Sequence, residues 1–179
     1  VFSGFHGMIE FEDNRAADDE EYLGGDNGNP FGHTVIADPE DTQLNRLWVS
    51  YDFKNFSDDI PLTAKIGRQR IILDDARFIG NVGWRQLEQT YDAALLTFTP
   101  TEEITAKYAF IEDVNRIFGE ESINAANTDF SSNSHLFNVA YTGLDIGKLV
   151  GLAYLLDLDG STVGLANSSQ TYGVRLDGS

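Results

Sequence analysis

Apolar and polar residues alternate in eight short stretches, near 2–12, 43–53, 62–72, 90–99, 103–112, 135–143, 148–157 and 169–176, and the connections between them run long, short, long, short to the end. Few folds satisfy such a rhythm. In an up-and-down transmembrane β-barrel, strands of ~9–11 residues cross the bilayer, turns are short on the periplasmic side and loops are long outside. The short connections centre on Ser57-Asp58-Asp59, Pro100-Thr101 and Asp145-Ile146-Gly147, and the long ones cover 13–42, 73–89, 113–134 and 158–168. The rhythm predicts an all-β, antiparallel up-and-down transmembrane β-barrel with eight strands in this chain, located in the bacterial outer membrane.

Parity within the stretches supports this. Successive side chains of a strand point to opposite faces. Leu47, Val49, Tyr51 and Phe53 oppose Arg46, Ser50 and Asp52, and Ile104, Ala106, Tyr108 and Phe110 oppose Thr105, Lys107 and Ala109. Phe137, Val139 and Tyr141 oppose Asn138, Ala140 and Thr142, and Tyr172, Val174 and Leu176 oppose Thr171, Gly173, Arg175 and Asp177. A soluble β-sandwich also alternates, but aromatics near strand ends (Phe53, Tyr91, Phe98, Tyr108, Tyr141, Tyr154, Tyr172) fit the interfacial girdles of a barrel. Two stretches do not separate. In 62–72 the apolar parity of Leu62, Ala64 and Ile66 continues into Arg68 and Arg70, which requires either a bulge near Gly67 or arginines beyond the hydrocarbon band. In 90–99, Asp92 and Ala94 share parity with Leu96 and Phe98, and the inner face stays unassigned.

Composition narrows the classes further. No run of eighteen apolar residues exists, so a membrane helix is excluded, and the absence of cysteine leaves neither a disulfide framework nor a thiolate metal site. A net charge of −17 taken alone argues against nucleic acid or other anionic partners, because the mean field repels them. Its distribution matters more: eleven of the 29 acidic residues lie between Glu10 and Asp41, whereas Lys65, Arg68, Arg70, Arg77 and Arg85 crowd into one stretch. A negative rim and a locally positive wall can coexist.

The positive stretch carries a family resemblance. Lys65-Ile66-Gly67-Arg68-Gln69-Arg70-Ile71 is followed by Asp74, Ala76-Arg77-Phe78, Gly80-Asn81-Val82-Gly83-Trp84-Arg85-Gln86 and Glu88-Gln89-Thr90-Tyr91-Asp92-Ala93. With Tyr108-Ala109-Phe110 and Val114-Asn115-Arg116-Ile117-Phe118-Gly119, this resembles the signature region of the alginate-export family of outer-membrane β-barrels, over residues 62–119. The resemblance implies a large monomeric barrel of about eighteen strands, and export of an anionic polysaccharide through an arginine-rich pore. The chain ends at Leu176-Asp177-Gly178-Ser179 without the terminal aromatic usual in such barrels, and is therefore read as the N-terminal portion of a larger one. The competing reading is a complete eight-stranded barrel, filled by side chains, closed and structural or adhesive, whose acidic loops bind surface partners.

An anionic polymer moving through a pore needs cations that are spread out, and arginine can engage carboxylates bidentately while staying charged. The candidate pore-lining residues are Arg46, Lys65, Arg68, Arg70, Arg77, Arg85, Lys107, Arg116 and Arg175. The same cations could instead pair with Asp52, Asp74, Asp75, Asp92, Glu88 and Asp113 in a stiffening interior network. Gly80 to Arg85 allows a loop folded into the pore or a tight extracellular turn with Trp84 at the interface. Neither Asp26-Asn27-Gly28-Asn29 nor Asp157-Leu158-Asp159-Gly160 has the spacing of a calcium loop, so neither a metal nor another cofactor is expected. His6, His33 and His135, with Ser3, Ser134 and Asn133 nearby, lack a nucleophile-elbow motif, and Asp58-Asp59, Asp74-Asp75 and Glu102-Glu103 are too close in sequence to act as opposed acids; no enzyme is expected. The expected partners are the bilayer with its lipopolysaccharide and an anionic polysaccharide or small anion.

Overall fold

The structure is a computed structural model that describes residues 4–15, 38–55, 61–120, 128–159 and 168–178. The strands are β1 (Phe5–Asn14), β2 (Asp41–Asp52), β3 (Leu62–Gln69), β4 (Thr90–Thr101), β5 (Ile104–Asn115), β6 (Asp129–Leu144), β7 (Gly147–Leu156), the short β8 (Leu158–Asp159) and β9 (Ser169–Gly178). They form one antiparallel sheet in the order β1-β2-β3-β4-β5-β6-β7-β9, with β8 added to the upper part of β6. The sheet is not closed: β1 and β9 do not pair with each other among the described residues. Tight turns at Glu102–Glu103 and Asp145–Ile146 join β4 to β5 and β6 to β7, so the long and short rhythm of the sequence is present. The acidic run 16–37, which holds Asp26-Asn27-Gly28-Asn29 and His33, lies outside the described residues, as do Ser3, Ser57-Asp58-Asp59 and Gly160.

Register places the apolar parity of every long strand on one outer face. Across the sheet, Tyr51, Ala64, Leu96, Tyr108, Phe137, Ala153 and Tyr172 form one continuous row of paired residues. Leu47, Val49, Ile66, Leu96, Phe98, Phe137, Val139, Tyr172, Val174 and Leu176 are all exposed there. Soluble monomers rarely show an apolar surface of this extent, whereas hydrocarbon solvates it.

The opposite face is covered by the chain itself. Segment 70–89, between β3 and β4, turns over this inner face and packs Ile71, Leu73 and Ile79 against Tyr91, Ala93, Ala109, Ile111, Leu136 and Tyr154, with Leu87 of the same segment also buried. Burial of each large aliphatic is worth ~2 kcal/mol, which fixes a segment that has no regular structure of its own. Its tip is closed by Leu73 N–H donating to Ile79 O at 3.1 Å and Tyr91 Oη donating to Gly80 O at 2.7 Å. Asp74, Ala76 and Val82 adopt positive φ (54°, 58° and 53°), costly for side-chain-bearing residues and tolerated only where surrounding contacts enforce it.

This packing settles the two ambiguous stretches. The ladder runs through Gly67 without a register shift, so Arg68 keeps the parity of Ile66 and sits at the loop end of β3, while β3 ends at Gln69 and Arg70 leaves the sheet. Gly67 has φ +117°, and a Cβ there would lie 2.3 Å from the Leu47 carbonyl oxygen; only glycine lets β2 and β3 approach this closely. In β4 the inner face is Tyr91, Ala93, Leu95 and Thr97, apolar in its upper half because segment 70–89 covers it. Tyr91 and Tyr154 are consequently core residues beneath the segment and not parts of an interfacial girdle. β6 begins at Asp129 and not near 135, because Phe130 pairs with Val114 and Ser131 and Ser132 pair with β8.

Candidate pore-lining site

Two polar junctions hold segment 70–89 to the inner face. At its ends, Glu88 accepts paired hydrogen bonds from Arg70 (2.6 and 2.7 Å), one from Asn81 in the segment (2.7 Å) and one from Asn45 of β2 (2.9 Å). A bulge at Asn45 in the β1–β2 ladder brings that amide to Glu88 and also to Glu10 at 2.6 Å. Glu10 in turn pairs bidentately with Arg46, whose guanidinium lies 3.9 Å from Glu88. Burial alone would push the Glu88 carboxyl up, but the Arg70 guanidinium and the Asn81 and Asn45 amides outweigh it and hold the group below its ordinary range.

The second junction lies beneath the tip. Asp74 accepts hydrogen bonds from Asn138 of β6 (2.9 Å) and Tyr154 of β7 (3.4 Å), and Lys148 Nζ is 3.7 Å away. Next to it, Arg175 of β9 bridges Asp75 at 3.0 Å and also bonds Asp177. The segment thus starts at β3 and reaches β9, crossing the inner face of the strands between.

The sequence candidates divide by partner. Arg46, Arg70 and Arg175 belong to these junctions. Arg68 forms a bidentate pair with Asp92 (3.0 and 3.1 Å) and reaches Glu120 at 2.9 Å. Arg85 stacks 3.9 Å over the Trp84 ring and lies 3.6 Å from Asp38, at the rim of the sheet. Arg116, just past β5, packs on the rings of Phe118 and Phe130. Arg77 is exposed at the segment's tip, 5.7 Å from the Phe78 ring. Lys65 and Lys107, like Arg77, have no carboxylate within 4 Å among the described residues; they differ from it in being strand residues on the inner face, diagonal to each other across β4. Lys65 Nζ lies 4.3 Å over the Trp48 ring. Both lysines line a cavity of about 430 Å³ with Thr63, Thr97, Arg70 and Leu73, directly under the segment.

Sequence reasoning missed Glu88 as the hub, the amides Asn45, Asn81 and Asn138 that complete the junctions, and Lys148. Amides carry no charge pattern, and the bulge that presents Asn45 leaves no mark in the alternation. Of the carboxylates foreseen in an interior network, Glu88 pairs with Arg70 and Asp75 with Arg175 on the inner side, Asp74 lies beside Lys148, and the Arg68–Asp92 pair falls on the outer-face parity at the loop end of the sheet; Asp113 forms no ion pair among the described residues. His135 pairs with Phe110 in the outer-face parity and shares a hydrogen bond with Tyr108 at 2.9 Å, while Ser134 is fully buried on the opposite parity. These two side chains cannot act on one substrate.

Comparison with curated proteins and with solved structures gives no match. A family model described as alginate export matches residues 4–178, nearly the whole described chain. That family is one of outer-membrane transport proteins acting in polysaccharide export, and an all-β antiparallel sheet with an apolar outer face fits it. By this match, the chain belongs to the alginate-export family.

Proposed function

We propose that these residues form part of the wall of an outer-membrane channel through which an anionic polysaccharide, alginate or a similar polyuronate, passes. The observation that carries the reading is the pair Lys65 and Lys107, two inner-face cations without carboxylate partners among the described residues, while most of the arginines spend their charge on structure. Uncompensated ammonium groups on the wall attract anions over several ångströms and, being partly hydrated, bind each uronate weakly enough to release it. The neighbouring Thr63 and Thr97 offer hydroxyls in place of water.

The barrel is wider than eight strands in this reading. An eight-stranded barrel has an interior just large enough for its own side chains. Here the inner face carries segment 70–89 as well, and open cavities remain beside it. Further strands then pair with the outer edges of β1 and β9, which are unpaired among the described residues, since unpaired backbone is not tolerated in hydrocarbon. The outer apolar band meets lipid and lipopolysaccharide, and the barrel acts as a monomer.

The test is to purify the native protein from its outer membrane and record across a planar bilayer under a salt gradient. The expected result is a reversal potential favouring anions and current block by added oligomannuronate. A non-conducting protein, or one favouring cations, overturns the proposal.

A further inference from the structure

We propose a second saccharide subsite at the tip of segment 70–89, in which Phe78 stacks on the pyranose ring of the passing polymer while Arg77, Asp75, Thr171 and Arg175 engage its hydroxyls. The inference rests on the channel reading above and assigns a different chemistry to a different place.

A cavity of about 470 Å³ opens between the tip and the inner face of β9. Phe78 stands at its mouth, 52% exposed, with its edge against Tyr154 (centroids 6.1 Å apart, planes at 64°). That contact orients the ring, with the Arg77 guanidinium 5.7 Å from its centre, while about half of the side chain stays accessible. An exposed phenylalanine on a polar, water-filled wall is costly unless something covers it in use, and the C–H face of a sugar ring does so well. Gly173 and the Leu152 side chain beside it form the floor between Thr171 and Arg175, a Cβ on Gly173 lying 3.3 Å from Leu152 Cδ1. At the tip, Asp74 and Ala76 flank Asp75 in left-handed backbone, and Gly80 lets the chain return close to Ala76, since a Cβ there would lie 2.7 Å from the Ala76 Cβ.

The charge balance separates this site from the lysine cavity. Its lining has Asp74, Asp75 and Asp177 against Arg77 and Arg175, so no excess positive charge draws a uronate. Carboxylates and guanidinium groups around an aromatic platform are instead the donors and acceptors that sugar hydroxyls use. A strand paired with the outer edge of β9 would lie in the plane of the sheet and wall the cavity without filling it.

The experiment measures block of the native channel's current by two probes, neutral cellotetraose and anionic tetramannuronate, for four proteins. In Phe78→Ala, block by both probes is expected to weaken about tenfold, and Phe78→Tyr is expected to restore it. In Lys65→Gln/Lys107→Gln, block by tetramannuronate alone is expected to weaken. If Phe78→Ala blocks like wild type, or Phe78→Tyr fails to restore block, the subsite is overturned and the channel reading survives through the lysine result. A wild-type channel that neither probe blocks overturns both.

Discussion

Arg70 and Glu88 are tied by hydrogen bonds of 2.6 and 2.7 Å, closing the two ends of the segment that crosses the inner face. The pair is positioned by both layers it joins: Asn81 comes from the segment and Asn45 from the wall. Holding a loop inside a channel needs such fixed ends, because the loop's own backbone supplies no regular hydrogen bonding.

Glu88→Gln removes a charge-assisted junction and is expected to cost about 2 kcal/mol. The outcome to look for is an earlier urea midpoint in lipid vesicles together with noisier and larger single-channel currents, as the segment loosens from the wall.

The same pair gives a pH dependence with a definite sign. The folded Glu88 carboxyl is held below its unfolded value of about 4.3, so the native state binds fewer protons and this contribution is complete above that value. It is lost as pH falls through the lower folded value. Channel noise should therefore rise on acidification below about pH 4, and Glu88→Gln should show that noise at neutral pH with a flatter profile.

Gly67→Ala should destabilise by several kcal/mol, because the added methyl meets the Leu47 carbonyl at 2.3 Å and φ +117° is closed to alanine. Loss of heat-modifiable migration in SDS gels, or failure to insert, is the readout.

The chain contains no cysteine, so a tether can be read cleanly. Asp74 and Asn138 touch at 2.9 Å through their side-chain ends, and Asp74→Cys with Asn138→Cys is expected to be bridged in intact outer membranes by a short bifunctional thiol reagent, whose span covers the length the shorter cysteine side chains lose. Two cysteines that each react singly with the reagent and are not bridged would place the segment elsewhere.

Much of the wall was legible in the sequence because lipid and lumen demand opposite chemistry at alternate positions, as in β2, β5 and β9. β4 was not, and the reason is physical: Tyr91, Ala93 and Leu95 are apolar on the inner side because Ile71, Leu73 and Ile79 pack on them. A wall that faces protein on one side and lipid on the other loses its alternation. The same covering misled the reading of Tyr91 and Tyr154 as girdle residues. Among the cations, type and clustering were readable, and pairing with Glu88, Asp92 and Asp75 stood as one of two readings, but which cations stay unpaired was not readable, since Lys65 and Lys107 stand out only once the arginines around them are seen to be paired.

The most direct measurement is the reversal potential of the native channel against Lys65→Gln/Lys107→Gln under the same salt gradient. Neutralising these two lysines is expected to move the potential toward cations by the largest amount at low salt, where screening is weakest, with folding and heat-modifiability unchanged. An unaltered potential in a correctly folded double variant would contradict it.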